Sequence, residues 1–481
     1  MRTAQEVSLN NNWHSCWVII NDQVCDLTQF LDEHPGGPGV ILQYAGKDAT
    51  AVYEAIHPPG TIDQLPQDKH LGPLDTSTGD RTHSEAAPTA IQTPHLHTLQ
   101  NLDDFEIVAK DVLNEKAWAY YTSAAESLCS VKRNLEDWAK VSFRPRVLRN
   151  VARVSLRRRI MGHNSSLPVF IAPAALARLG HPDGELCLAR AAVSSYSSVS
   201  HQDVATCCKE EKRALLGAAP RFGQGALAFQ LYLPLKKKQG GRELIAKAKA
   251  LGYQALVVTV DTPVVGKREA DERLRARIET STSDIRLDVQ NTTEPGSDAP
   301  VLRGAHSSTL DWDDLHWIRA AWGPGPLIIT GIQTAEDALR ASNIGVQGIY
   351  LSNHGGRQLD HAPSALQTLL EIRSFCPQVL SKVEVYLDGG VPRGTDVVKA
   401  LCLGATGVGL GRPFLYALSG YGTDGVVKAL QILSDEIEST LRLLGVVDIA
   451  ELKSTLVNTA VLGRDLAAIC DLGARKSGLK L

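Results

Sequence analysis

An α/β (β/α)8 (TIM) barrel preceded by a small α+β module is the architecture this sequence predicts. Three observations lead there. Short apolar runs recur at residues 169–172, 226–231, 255–260, 327–329, 348–351, 383–387 and 407–410, with a weaker one near 197–200. Stretches of helical composition separate most of them, as at 243–250, 335–342, 365–375 and 396–402, and this alternation is the signature of parallel strands joined by helices. Polar residues gather at the downstream ends of the runs, where such a barrel carries its active site, and the GxGxxG of an open nucleotide-binding sheet is missing.

At 481 residues the chain exceeds one ordinary core, so at least two domains are expected. We place a first module at 1–75, a linker at 76–100 and the barrel at 101–481. The linker is rich in Thr, Ser, Asp, Pro and His without an apolar period. From there Phe105, Val108, Ala109, Val112 and Leu113 follow helical spacing, with Asp103 as the expected N-cap. The stretch 280–308, polar and rich in Gly and Pro, reads as a mobile insertion after the fourth barrel strand. Hydrophobic residues make up 43% and charged residues 21%, with a net charge of −3, which gives no electrostatic case for nucleic acid. No apolar run approaches the length of a membrane span. The start of the sequence shows no signal sequence or presequence, so a cytoplasmic location is expected. Nine cysteines without a CxxC pair suggest reduced thiols.

Two histidines stand out in the first module, one in Asp32-Glu33-His34-Pro35-Gly36-Gly37 and one in Ile56-His57-Pro58. Both lie among apolar and aromatic residues of the kind a porphyrin face needs. Together with Trp17, Phe30, Gly46, Asp48, Ala49 and Leu74, they give the segment a specific resemblance to cytochrome b5 domains. That resemblance implies haem b, with His34 and His57 as its axial ligands.

In the barrel, Gln230 and Tyr232 end the third strand and Thr259 and Asp261 the fourth. Ser352, Asn353 and His354 end the sixth, Asp388 and Gly390 the seventh, Gly411 and Arg412 the eighth. The sharpest run is Ser352-Asn353-His354-Gly355-Gly356-Arg357-Gln358-Leu359-Asp360. An arginine three residues after a histidine, on a glycine-loosened turn, suits a hydroxy acid. The arginine can clamp a carboxylate while the imidazole accepts a proton from the α-carbon or the hydroxyl. A nearby carboxylate such as Asp261 would stabilise the imidazolium.

The nine-residue run resembles the signature of the FMN-dependent α-hydroxy-acid dehydrogenases and oxidases, and the likeness extends from about Leu102 to about Lys453. The order of haem module then barrel is that of the flavocytochrome b2 family. The resemblance implies His354 as catalytic base, Asp261 as its charge partner, and Arg357 and Tyr120 as carboxylate ligands. It further implies Tyr232 as a donor to the substrate hydroxyl and Arg268 as an auxiliary cation. Gln230, Thr259 and the backbone near Pro173 and Ala174 match flavin-ring contacts, with Ser352 beside them. Asp388, Gly390, Gly411 and Arg412 match the ribityl and phosphate site.

Several positions depart from the family pattern. Thr330 stands where the family has a lysine facing the flavin N1 and O2 edge, and Pro392 replaces an FMN-contacting arginine. Arg412, with Arg393, is then left to serve the phosphate. Gln202 aligns with a flavin-contacting serine, and the methyl pocket near Val204 is altered. The resemblance thus implies an enzyme oxidising a small L-2-hydroxy acid, L-lactate first, with FMN and haem b passing electrons to cytochrome c or a similar acceptor, and a homotetramer. Two alternatives stand beside it. One is the same fold acting on another 2-hydroxy acid or using oxygen; the other is a haem-binding redox protein whose flavin site is impaired by Thr330 and Pro392.

Overall fold

The computed structural model describes residues 2–31, 41–42, 44–57, 61–62, 65–75, 93–194, 198–201, 226–234, 237–281, 307–464 and 466. His34, Gln202, Val204, linker residues 76–92 and insertion residues 282–306 lie outside this set. The chain divides into two compact units.

The first unit is built on the antiparallel sheet β1 (Asn11–Asn12), β2 (Ser15–Ile20), β3 (Gln23–Asp26) and β4 (His70–Pro73), in that order. Stretches Asn114–Ala119 and 270–281 group with it. Alternating side chains split the apolar residues of β2 and β3 between two faces. Val18, Ile20 and Cys25 join Leu27, Leu31, Ile41, Ala45 and Ala49 in one buried cluster, while Ile19 and Val24 pack with Val7 of helix α1 (Ala4–Leu9) on the other. Helix α2 (Thr50–Ile56) leads into His57.

The second unit is a closed barrel of eight parallel strands, each paired with its neighbour in sequence. These are β5 (Val169–Ile171), β6 (Ser198–His201), β7 (Leu227–Leu231), β8 (Ala255–Thr259), β9 (Leu327–Ile332), β10 (Gly348–Leu351), β11 (Glu384–Leu387) and β12 (Gly407–Leu410). Each falls on a run predicted from sequence, including the weak one at β6. Strands β7, β8, β10 and β12 are buried throughout, because helices cover one side and packed side chains fill the other. Phe170, Tyr350 and Tyr386 meet edge to face inside, with ring centroids 5.4–6.5 Å apart. Ile160 and Met161, at the end of a short hairpin, complete that cluster, and Met161 N–H donates to the Tyr386 hydroxyl at 2.6 Å.

Three helices of this unit frame the barrel's active end. Helix α3 (Leu102–Val112) buries Leu102, Phe105, Val108 and Ala109, the spacing seen in the sequence. Its N-cap is Asn101 rather than Asp103: the Asn101 side chain accepts from the Asp103 and Asp104 amides, and Asp104 reaches back to close a capping box. After helix α4 (Glu115–Thr122), whose residues up to Ala119 group with the first unit, comes α5 (Cys129–Ala139), and the long α6 (Arg412–Leu444) packs along α3. Pro94 also belongs to this unit, since Tyr421 donates to its carbonyl at 2.6 Å. The six cysteines among the described residues are unpaired. Among those residues no helix is long and apolar enough to cross a membrane.

Candidate active site

At the C-terminal ends of the strands lies a cavity of about 620 Å³. Tyr120, Pro173, Ala174, Gln230, Tyr232, Thr259, Arg268 and Thr330 line it, as do Ser352, His354, Arg357, Asp388, Gly390, Gly411 and Arg412. Residues up to 314 positions apart in sequence, Leu102 and Tyr416, are thereby brought to one cavity.

His354 sits at its centre. Its Nδ1 lies 3.2 Å from Asp261 Oδ2 and 3.3 Å from Oδ1, while its Nε2 lies 3.3 Å from the Tyr232 hydroxyl. Asp261 can only accept, so Nδ1 carries the proton and the imidazole lone pair falls on Nε2. Burial, followed by the nearby charges of Asp261 and Tyr120, pushes the Tyr232 phenol far above its ordinary range, so it remains a donor. The surrounding loop is tied down by side chains. Asn353 exchanges two 2.8 Å hydrogen bonds with Asn134 of α5, and Gln358 Nε2 donates to the Asp261 and Val264 carbonyls at 2.9 and 2.8 Å. Asp360 accepts from the Ser127, Cys129 and Ser130 amides at the start of α5.

Asp261 is positioned by a bulge in β9. The register against β10 shifts between Thr330 and Ile332, and the intervening Gly331 has φ of 101°. A Cβ there would lie 2.6 Å from the Asp261 Cβ, so only glycine allows the approach. Arg357 is held over the Tyr120 ring, its Cζ 4.9 Å from the centroid, by donating Nη1 to the Tyr120 and Ser123 carbonyls at 2.7 and 2.8 Å.

Gln230 and Thr259 sit deeper, joined by a 2.8 Å bond from Nε2 to Oγ1. Thr330 is buried beside them. Asp388 accepts from Tyr350 at 2.8 Å, and its burial, opposed by hydrogen bonds from Ser352 and Tyr350, raises its pKa. Arg412 Nη2 donates to the Gly355 carbonyl at 2.6 Å.

Two predicted residues of the barrel site do not line the cavity: Asp261, which stands behind His354 and reaches it through Nδ1, and Arg393. Arg393 pairs with Glu436 at 3.3 Å and Asp103 at 3.6 Å, because it precedes the helix Gly394–Leu403 and that helix start is held by Glu436. The neighbouring Pro392 takes the cavity wall instead. Sequence reasoning also missed Glu106, Asn134, Tyr350 and Tyr416, all lining residues. Asn134 and Tyr350 look like ordinary helix and strand residues; only the exposed acid at Glu106 on an amphipathic helix gave a signal.

The cavity fits FMN on three counts. Its volume lies in the range of cofactor pockets. Gln230 Oε1, on a residue matched to the flavin ring, is buried without a partner among the described residues. Gly411 precedes α6 with open space where a Cβ would stand, so a ligand can approach the amides at the helix start. In the first unit, His57 Nδ1 lies 3.2 Å from the Tyr53 carbonyl and the two rings stack at 4.6 Å. Donation from Nδ1 puts the lone pair on Nε2, the form that ligates iron. Phe30, Leu42, Ile62 and Leu65 stay only partly buried on the same cluster, an apolar surface suited to a porphyrin.

A (β/α)8 barrel with this acid–base pair, arginine clamp and cofactor cradle, fused to a histidine-bearing α+β module, defines a flavin-dependent dehydrogenase with its own haem domain. Residues 109–459 match the FMN-dependent dehydrogenase family and residues 3–75 the cytochrome b5-like heme/steroid binding domain. The chain belongs to the FMN-dependent dehydrogenase family, with FMN as the cofactor of the barrel and haem b that of the first domain. It is 38% identical over 467 residues to the L-lactate dehydrogenase (cytochrome) of Wickerhamomyces anomalus, covering 95% of this chain and 80% of that relative. It is 36% identical to glycolate oxidase 3 of Oryza sativa subsp. indica, over 76% of this chain and 97% of the relative. A solved structure of a flavocytochrome b2 variant with pyruvate bound superposes with a TM-score of 0.69 at 37% identity, covering 79% of this chain and 91% of that one.

Proposed function

We propose that this chain oxidises a small L-2-hydroxy acid, L-lactate first among them, to the 2-oxo acid, and delivers the electrons to cytochrome c or a similar one-electron acceptor. Residues 1–75 form the haem module, in which His34 and His57 would hold the iron; residues 76–100 link it to the barrel of 101–481. A homotetramer is part of the same reading.

The observation that carries it is the contact of one imidazole with both Asp261 and Tyr232 in a cavity that also holds Arg357 and Arg268. Arg357 and Tyr120 bind the substrate carboxylate, the Tyr120 ring also bracing Arg357, and Arg268 adds an auxiliary cation. Tyr232 holds the substrate oxygen in line with His354. Nε2 of His354 then takes one substrate proton, and Asp261 stabilises the imidazolium through Nδ1. Bound FMN and haem b supply the redox chemistry, a two-electron acceptor and a one-electron relay. Gln230 and Thr259 would hold the flavin ring through polar contacts, Asp388 and Gly390 would hold the ribityl chain, and Gly411 with Arg412 would hold the phosphate.

A second reading is favoured by the neutral Thr330 in the cavity and by the pairing of Arg393 away from it. In that reading the barrel binds flavin poorly and the chain serves as a haem protein. Anaerobic absorption spectra of the FMN-supplemented protein, before and after L-lactate, test both. Bleaching of the flavin band together with haem reduction supports the enzyme. Haem bands without bound FMN favour the second reading. Bound FMN that lactate leaves oxidised and glycolate reduces moves the substrate assignment.

A further inference from the structure

One end of the cavity is formed by the first turns of α3 and α6, through Leu102, Asp103 and Glu106 on one side and Gly411, Arg412, Pro413 and Tyr416 on the other. Arg412 supplies the cation there, and part of its hydrogen-bonding capacity is committed to the Gly355 carbonyl. Arg393 is drawn off by Glu436 and Asp103. Two carboxylates therefore share this end with Arg412, and of the two Asp103 is already paired with Arg393 at 3.6 Å, which leaves Glu106 as the acid set against Arg412. Glu106 is open to solvent at the rim, and the charged or titratable groups that act on it are Arg412 and Asp103, with Tyr416 responding to it in turn. Partial withdrawal from water pushes its pKa up, Arg412 pulls it down and Asp103 pushes it up, with a net rise.

A phosphate monoester brings close to two negative charges. At this end it meets an arginine whose field is already partly spent on acids. We propose that Glu106, reinforced by Asp103, is a selectivity residue of the cofactor site that competes with the flavin phosphate for Arg412 and so narrows the preference for FMN over riboflavin. This rests on the reading that the cavity holds a flavin with its phosphate at the start of α6. The ring and ribityl contacts lie elsewhere in the cavity and are the same for both flavins, so the effect is confined to the phosphorylated one. Glu106 is charged at pH 8 and the repulsion is then present; as pH falls the carboxyl protonates and the repulsion fades. Added salt weakens it as well, because the rim is solvated.

The test uses the full-length chain freed of flavin, titrated separately with FMN and riboflavin and followed by quenching of flavin fluorescence. Glu106→Gln should tighten FMN about fivefold at low salt and pH 8, the order expected for removing one charge at a solvated rim, and leave riboflavin unchanged. The gain should shrink near pH 5, and comparing variant with parent at each pH cancels the titration of the phosphate itself. Asp103→Asn should shift FMN in the same direction by less. Unchanged or weakened FMN binding in Glu106→Gln, with riboflavin intact, overturns the proposal, and so does an equal shift of both flavins. If the parent binds neither flavin, the flavin reading itself falls, an outcome separate from failure of the Glu106 assignment.

Discussion

Replacing Asp261 by Asn removes one negative charge and little else. The amide keeps the shape that fits against Gly331, and the Asp261 backbone carbonyl keeps its bond from Gln358. The charge lost lies 3.2 Å from His354 Nδ1, on a side chain only 3% exposed, while the imidazole is 21% exposed. A unit pair at that separation is worth roughly 5 kcal/mol at an effective dielectric near 20. Solvent access to the imidazole reduces this to about 2–4 kcal/mol, so the step that forms an imidazolium should slow by roughly 30- to 1000-fold. The assay is anaerobic stopped-flow reduction of bound flavin by L-lactate, with the haem bands as an internal measure of an intact first domain. Flavin reduction slowed less than about fivefold, at saturating substrate, would refute the role of Asp261 as the charge partner of His354.

Two further expectations concern how the site is held. Gly390 has φ of 63°, and a Cβ on it would stand 2.4 Å from the Asn134 carbonyl oxygen; Gly345 has φ of 90° with open space around it. Gly390→Ala should therefore cost about 2–4 kcal/mol and lower the melting temperature clearly, against about 1 kcal/mol for Gly345→Ala, and equal losses would show that the approach of α5 is not rigid. Burial disfavours the charged form of Asp360, but the amides of Ser130, His361, Cys129 and Ser127 outweigh it and hold its pKa below the ordinary 3.8. Its stabilisation is thus complete above the unfolded value and lost as pH falls through the lower folded one. Asp360→Asn should be less stable than the parent at neutral pH, with the gap closing below about pH 4. A gap that does not change between pH 7 and pH 3 in denaturant titrations would contradict this.

Much of the barrel was legible because parallel strands buried on both faces write themselves as apolar runs, and even the weak run at β6 found its place between β5 and β7. The run from Ser352 to Asp360 was legible for another reason. Its glycines, histidine, arginine and carboxylate are consecutive, so the turn and its chemistry are encoded locally. Arg393 shows the limit. It neighbours the cavity in sequence, yet its side chain goes to Glu436, 43 positions away, a partner that no local pattern indicates. Asn101 displaced Asp103 as N-cap because its side chain meets two amides and Asp104 completes the box, a competition decided by geometry among adjacent polar residues.

By itself the sequence determined the alternation of strands and helices, the two-part organisation, and the residue types able to hold haem, clamp a carboxylate and take a proton. Those properties depend on composition and on spacing within a few turns of chain. Only the tertiary structure decided that Asp261 and Tyr232 meet opposite nitrogens of His354, that the bulge at Gly331 admits Asp261, and that Arg412 shares its end of the cavity with Glu106 and Asp103. Each is a contact between segments far apart in the chain, and barrel closure fixes their separation to within ångströms, the scale on which hydrogen bonds and charge pairs gain or lose their strength.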